Sequence, residues 1–136
     1  HSFPTRRSSD LVLDAAATGR LAQVGELSWA PGAAVIVVLA AAGYPGAYGK
    51  GGLIAGPRLF ASDDAVHVVH AGTLLDGDAL VASGGRVLGV VAQAGDLAAA
   101  RADAYAAVDS LDAPGLFCRR DIAERAASGL IGTPAL

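Results

Sequence analysis

An arginine that follows two glycines is the strongest candidate for chemistry in this sequence. Gly84, Gly85 and Arg86 stand immediately before an apolar run that predicts a strand. Glycines leave room for an anion beside the guanidinium, whose planar fork matches phosphate bidentately. The pattern therefore predicts an anion site at Arg86. The alternative is that Arg86 caps a turn or pairs with Asp78.

The histidines and the cysteine offer weaker chemistry. His67 and His70 lie on a predicted strand over residues 65–70, where alternation places them on opposite faces, so they cannot chelate one metal together. We predict instead that His70 is partly buried and hydrogen-bonded to the backbone. Cys118 is the single cysteine, which excludes an intrachain disulfide, and we interpret it as a buried structural thiol. No metal site is predicted.

A glycine-rich segment over residues 43–52 predicts a loop, because several of its positions can adopt positive φ. A phosphate loop needs four residues between its first glycine and a Gly-Lys pair that Ser or Thr follows. Here five residues separate Gly43 from Gly49, and Gly51 follows Lys50. We therefore predict no nucleotide binding by this device. Two interpretations stay open, a flexible surface loop and a loop that lines a substrate cleft.

The run Arg119-Arg120-Asp121 predicts a solvated helix start with Asp121 as an acid of the first turn. A second basic contact at a cleft edge is the alternative.

Local patterns predict an α+β fold. The β-branched run over residues 34–40 indicates a central strand, and Asp96 opens a helix to about Leu111 with apolar residues at spacings of three and four. Further elements are predicted as strands at residues 52–55, 65–70, 79–82 and 86–92, a hairpin turn at 76–78, a helix over 12–22 that Gly19 stops, and a short helix over 120–128. The fold class is a small, mostly antiparallel β domain with one long helix and short flanking helices.

The amino-acid composition limits the kinds of partner that this chain can bind. Of the 136 residues, 53% are hydrophobic and 17% charged, which favours a packed globular domain. The formal net charge of −3 argues against a nucleic-acid partner. The longest apolar run, residues 33–42, is half of what a membrane-spanning helix needs, so no membrane partner is predicted.

Four motifs in order carry a resemblance to a known family. They are Ala42-Gly43-Tyr44-Pro45-Gly46, His70-Ala71-Gly72-Thr73, Gly84-Gly85-Arg86-Val87-Leu88-Gly89-Val90 and Arg119-Arg120-Asp121-Ile122. This series resembles the C-terminal domain of the phosphoribosylamine–glycine ligases, which belong to the ATP-grasp superfamily. The resemblance implies a barrel-sandwich-hybrid-like domain over residues 29–128, preceded over 12–28 by the terminal helix and linker of the ATP-grasp module. Residues 129–136 are interpreted as a loose tail.

The resemblance also implies a function. Such ligases join 5-phosphoribosylamine to glycine in purine (IMP) biosynthesis and convert ATP to ADP and phosphate in the cytoplasm. ATP and Mg²⁺ would be bound upstream, so this chain is expected to bind neither, to be inactive alone and to pack on the N-terminal and ATP-grasp domains. Candidate substrate contacts are Arg86, Gly85, Gly84, Thr73, Tyr44 and Gly46. Some family members carry a basic residue where this chain has Leu74, which would shift phosphate binding to other residues.

Two other classes of protein are alternatives. A biotinyl or lipoyl carrier would need a lysine at a hairpin tip, and the only lysine is Lys50 in the glycine-rich loop. A non-catalytic structural or substrate-side domain of another ATP-grasp ligase stays open.

The start of the chain is expected to be foreign to the fold. Residues 1–11 match the in-frame translation of a common sequencing adapter, and the sequence contains no methionine. We therefore interpret residues 1–11 as a non-native segment attached to a fragment of a longer protein. A short basic transit-like arm is the alternative.

Overall fold

A computed structural model describes residues 8–27, 31–57, 59 and 65–131. The chain forms two compact units that divide between Pro31 and Gly32. The domain boundary predicted between residues 28 and 29 lies outside the described residues and stays a prediction. No described helix is long and apolar enough to cross a membrane.

The first unit contains helix α1 (Ser8–Ala17) and a 3₁₀ turn (Leu21–Gln23). Gly19 follows α1 with a φ of +68°, which agrees with the predicted helix stop. The helix begins four residues before the predicted start, with Asp10 in its first turn, where an acid is favourable. The predicted limit of the non-native segment at residue 11 therefore falls inside α1, and the foreign origin of residues 1–11 stays a prediction.

The second unit is built on a four-stranded antiparallel sheet in the order β2-β5-β1-β6. Its strands are β1 (Ala33–Ala41), β2 (Val66–His70), β5 (Arg86–Ala94) and β6 (Leu116–Phe117). β1 lies between β5 and β6, so the predicted central strand is confirmed. The antiparallel α+β class is confirmed with it.

A separate hairpin consists of β3 (Thr73–Asp76) and β4 (Ala79–Ala82). Asp76 pairs with Ala79 around a two-residue turn in which Gly77 has a φ of +62°, so the predicted hairpin is confirmed. The strand predicted at residues 52–55 is wrong, because this segment forms only isolated bridges, from Leu53 to Val81 and from Ala55 to Asp112. The chain turns away at Gly56, whose backbone lies against Leu111 with a φ of +151°.

One long helix, α2 (Leu97–Asp109), packs on β1 and β5, and the short helix α3 (Glu124–Ala127) follows. Asp96 is the N-cap of α2, and its side chain accepts a hydrogen bond of 2.8 Å from the Ala99 N–H. The predicted apolar stripe is confirmed: Ala100, Ala104 and Val108 are buried, and Leu97 and Leu111 pack against the core. Small alanines let α2 approach the sheet closely, so the core on that face is built from aliphatic residues.

Candidate functional site

A cleft of about 540 Å³ opens on the face of the sheet that is opposite α2. Four of the six predicted contact residues line this cleft: Tyr44, Gly84, Gly85 and Arg86. Gly46 and Thr73 are not among its lining residues. Because the four come from the loop after β1 and from the turn before β5, the fold brings together residues that are about 40 positions apart in the sequence.

Arg86 begins β5 at the edge of this cleft and is exposed. A β-bulge shifts the register there, because Leu88 pairs with Leu39 whereas Arg86 pairs with the next residue, Ala40. Within the part of the chain that the structure describes, no ion pair or side-chain hydrogen bond involves the Arg86 guanidinium, so the predicted alternative of a pair with Asp78 is not found. An exposed guanidinium without a carboxylate partner is available to an anion.

The two glycines before Arg86 are explained by packing and not by open space. A Cβ on Gly84 would lie 3.1 Å from the Cα of Gly72, and a Cβ on Gly85 would clash with the Tyr44 ring. Protein atoms occupy the space that a side chain would take at either position. That the glycines also leave room for an anion beside Arg86 stays a prediction. The glycines line the cleft with backbone only.

The turn after β2 is bound to the turn before β5 through the backbone. The N–H groups of Ser83 and Gly84 donate to the carbonyl of Gly72 at 2.8 and 3.1 Å, and the Gly72 N–H donates to the carbonyl of Val87 at 3.1 Å. A Cβ on Gly72 would lie 2.5 Å from the carbonyl oxygen of Arg86. Sequence reasoning missed this role of Gly72, since nothing local to residues 70–73 shows that Gly84 lies against it.

The predicted loop over residues 43–52 is confirmed as a loop, and it starts at the cleft. The Tyr44 ring lies against Gly85, and the Tyr44–Pro45 peptide is cis. The Tyr48 ring meets Tyr44 edge to face, with centroids 6.2 Å apart. Tyr44 thus lines the cleft beside Arg86 with Tyr48 packed against its ring, and contact of this loop with a substrate stays a prediction.

His70 has partners at both ring nitrogens. Nε2 lies 2.9 Å from the carbonyl oxygen of Leu59, and Nδ1 lies 3.1 Å from Oγ1 of Thr73. The predicted backbone hydrogen bond is confirmed, although His70 is exposed and not partly buried as predicted. Thr73 therefore orients an imidazole in this structure. Cys118 packs against the core but is only partly buried, not buried as predicted, and its structural role stays a prediction.

Residues 119–122 are held against α2 by two of its side chains. The Tyr105 hydroxyl donates to the carbonyl of Arg119 at 2.8 Å and accepts from the Ile122 N–H at 3.1 Å. Arg101 donates to the carbonyls of Ile122 and Arg120 at 2.9 and 2.7 Å, and its guanidinium lies 4.8 Å from the centre of the Tyr105 ring. We call these contacts the Tyr105 clamp.

The helix predicted over residues 120–128 is confirmed only over α3 (Glu124–Ala127), because the Tyr105 clamp binds the backbone of residues 119–122. Backbone groups that a helix would use are bonded to α2 instead, so Asp121 is not an acid of a first turn. Asp121 pairs with Arg119, whose hydrogen bond holds the pKa of the Asp121 carboxyl below its usual range, and Arg120 pairs with Asp109 at 2.6 Å. All four side chains are more than half exposed, so these pairs are screened by water.

Tyr105→Phe tests the Tyr105 clamp. The substitution removes one donor and one acceptor bond, and we expect the free energy of unfolding in urea to fall by about 1–3 kcal/mol. Tyr48→Phe is the matched control, since no hydrogen bond of the Tyr48 hydroxyl occurs among the described residues. Equal effects of the two substitutions would show that the clamp does not stabilise the domain.

The fold and the site together define a class of domain. An antiparallel sheet carries one long helix on one face. On the other face a cleft has glycine backbones in its wall and, at its edge, an arginine that no carboxylate among the described residues pairs with. These features define a small, mostly antiparallel α+β domain. Residues 34–125 match the family described as "Phosphoribosylglycinamide synthetase, C domain", which is about two-thirds of the chain, and the chain therefore belongs to that family.

Named relatives agree with this assignment. The chain is 50% identical over 121 residues to the phosphoribosylamine–glycine ligase of Mycobacterium tuberculosis, which covers 88% of the chain and 27% of that relative. The chloroplastic phosphoribosylamine–glycine ligase of Arabidopsis thaliana is 47% identical over 127 residues, which is 89% of this chain and 23% of that relative. The crystal structure of the Thermotoga maritima phosphoribosylamine–glycine ligase superposes with a TM-score of 0.64 at 33% identity, over 81% of this chain and 27% of the other. The chain thus spans about a quarter of the length of these relatives.

Proposed function

We propose that this chain is the substrate-side C-terminal part of a phosphoribosylamine–glycine ligase, which joins 5-phosphoribosylamine to glycine with conversion of ATP to ADP and phosphate. Family membership supports the ligase assignment. The observation that carries the local role is the exposed Arg86 guanidinium at the cleft, which no carboxylate of the described residues neutralises. The enzyme would act in purine biosynthesis in the cytoplasm.

In this proposal Arg86 holds the ribose phosphate of phosphoribosylamine. A guanidinium can bond two phosphate oxygens at once, which fixes both the position and the orientation of the sugar. Tyr44 limits the cleft beside Arg86, and the Gly85 backbone under its ring keeps the tyrosine close to the phosphate. This chain thereby presents the substrate amine, while the acyl group that the amine attacks is formed elsewhere in the ligase.

ATP and Mg²⁺ are assigned to the part of the ligase outside this chain, together with glycine activation. The described residues supply positioning of the second substrate and no step of phosphoryl transfer. On this view residues 12–28 are the end of the ATP-grasp module, and residues 29–128 are the substrate-side domain.

The test of Arg86 uses a chimera in which this chain replaces the matching quarter of the Mycobacterium tuberculosis ligase. Losing a charge-assisted bidentate contact costs about 1.5–3 kcal/mol, so Arg86→Ala should raise the KM for phosphoribosylamine roughly 10- to 150-fold. The KM values for ATP and glycine should change little. Arg86→Lys keeps the charge but loses the fork, and we expect an intermediate KM.

Arg125→Ala is the matched control, because Arg125 is also exposed, lies on α3 and does not line the cleft. If Arg86→Ala shifted all three KM values together, or none of them, Arg86 would not be a phosphate ligand. A chimera that forms no phosphoribosylglycinamide but folds cooperatively would support the alternative, a substrate-side domain of another ATP-grasp ligase.

A further inference from the structure

The loop over residues 43–52 is bonded at both ends to the segment that precedes β5. Just before the loop, the Ala41 N–H donates to the carbonyl of Gly85 at 2.8 Å. At the far end of the loop, residues 51 and 52 form two hydrogen bonds of 2.8 Å with the backbone of Ala82. The loop therefore leaves and rejoins the domain on the two sides of the turn before β5.

Both tyrosine rings of this loop pack on the same glycine. A Cβ on Gly85 would clash with the Tyr44 ring, and it would lie 3.1 Å from Cε1 of Tyr48. The planes of the two rings are inclined by 60°, in an edge-to-face contact. Because Gly85 is the residue before Arg86, the two rings contact the backbone that leads directly into the candidate anion site.

Tyr48 makes these contacts with its ring alone. It lies in a segment whose residues 45–52 are all in the exposed class, yet only 37% of Tyr48 is accessible. No hydrogen bond of its hydroxyl occurs among the described residues, and Tyr48 does not line the cleft. The contacts of Tyr48 are therefore packing contacts with Tyr44 and Gly85, outside the cleft itself.

The Tyr44 ring borders two grooves that contain different arginines. On one side is the cleft with Arg86, and on the other is a groove of about 210 Å³ that Arg119 lines. Arg119 pairs with Asp121, whereas no described carboxylate pairs with Arg86. The orientation of the Tyr44 ring therefore sets how much room an anion has beside the arginine that is available to bind it.

We propose that Tyr48 is a positioning residue for the phosphoribosylamine site: its ring holds Tyr44 against Gly85, and Tyr44 sets the width of the cleft at Arg86. A side chain shapes a binding site with precision only when packing fixes its rotamer. The edge-to-face contact supplies that packing, and Tyr48 itself has no contact with the substrate. This inference rests on the proposed role of the cleft.

Tyr48→Leu in the Mycobacterium chimera removes the aromatic ring and keeps an apolar side chain. The KM for phosphoribosylamine should rise roughly 2- to 12-fold, as expected when one aromatic contact is lost. The kcat and the KM values for ATP and glycine should change little. Tyr48→Phe is the matched variant: it keeps the ring, and it should retain the KM of the parent because the hydroxyl has no partner among the described residues.

A double-mutant cycle with Tyr44→Leu distinguishes positioning from a general loss of stability. If Tyr48 acts through the Tyr44 ring, adding Tyr48→Leu to Tyr44→Leu should raise the KM for phosphoribosylamine no further. Melting temperatures of the same variants in the 136-residue chain provide the second measurement. A merely structural role would lower the melting temperature of Tyr48→Leu and leave the KM unchanged, which would contradict the proposal.

Two kinetic results would overturn the positioning role. An unchanged KM in Tyr48→Leu would show that the ring is not needed, and a full additional rise in the Tyr44→Leu background would show that Tyr48 acts independently of Tyr44. Arg86→Ala tests the proposed function separately. If only Arg86→Ala raises the KM, the positioning role fails while the proposed function stands; if only Tyr48→Leu raises it, the assignment of the phosphate to Arg86 fails.

Discussion

Gly72→Ala should lower the free energy of unfolding by about 3 kcal/mol or more, because the added methyl group meets backbone on two sides. Its Cβ would lie 2.5 Å from the carbonyl oxygen of Arg86 and 2.8 Å from the Cα of Gly84. Neither neighbour is the flexible end of a side chain, so the turn after β2 must separate from the turn before β5. Gly72 does not have a positive φ, so backbone strain does not contribute. The steric clash alone makes the substitution destabilising.

Urea unfolding of the 136-residue chain measures this effect. Gly95→Ala is the matched control, because a Cβ on Gly95 meets nothing within 4 Å and its φ is also not positive. Alanine there should be neutral or slightly stabilising, since it restricts the unfolded chain. If Gly72→Ala were as mild as Gly95→Ala, the close approach of the two turns would be wrong, and with it the position assigned to Arg86.

Leu88→Ala should cost about 2–5 kcal/mol, as expected for a large aliphatic residue in a packed core. Leu88 is 1% exposed and pairs with Leu39 next to the β-bulge that offsets Arg86. The remaining cavity would lie between the sheet and α2, where the alanines of the helix offer little side chain to fill it.

The control for Leu88→Ala is Ile36→Ala, which truncates the opposite face of the same sheet. In the isolated chain we expect a change within about 0.5 kcal/mol, because Ile36 is half exposed. Urea unfolding distinguishes the two variants: the midpoint concentration should fall for Leu88→Ala and stay nearly constant for Ile36→Ala, with the same denaturant dependence (m-value) in both. Similar losses for both variants would contradict the exposure of Ile36 on the face of the sheet opposite α2.

Local backbone signals were predicted well from the sequence. The β-branched run of β1, the Asp76–Asp78 turn and the Asp96 cap each predict an element that the structure contains. Such patterns are local, because the residues that form the sequence pattern also form the stabilising contact. The Asp96 side chain, for example, accepts a hydrogen bond from the Ala99 N–H only three positions away. The apolar stripe predicted for α2 likewise coincides with the buried face of the helix.

Predictions failed where a distant residue competes for the same backbone. Residues 120–123 have the pattern of a helix start, but Tyr105 and Arg101 bond their amide and carbonyl groups from α2. Residues 52–55 have the pattern of a strand, but the contact of Gly56 with Leu111 turns the chain toward Asp112. No local pattern predicts either contact, because each partner is 17 or more positions away in the sequence.

The sequence by itself determined the fold class, the position of most strands and the choice of Arg86 as the anion-binding candidate, because those depend on side-chain periodicity and charge. Only the tertiary structure decided why Gly84 and Gly85 precede it: they admit Gly72 and Tyr44, which pack against them from other parts of the chain. Only the tertiary structure decided, too, which face of the apolar strand β1 is buried by α2 and which is left open. A run of aliphatic residues indicates that both faces of the strand favour burial. Whether both are covered depends on how many layers the rest of the molecule supplies.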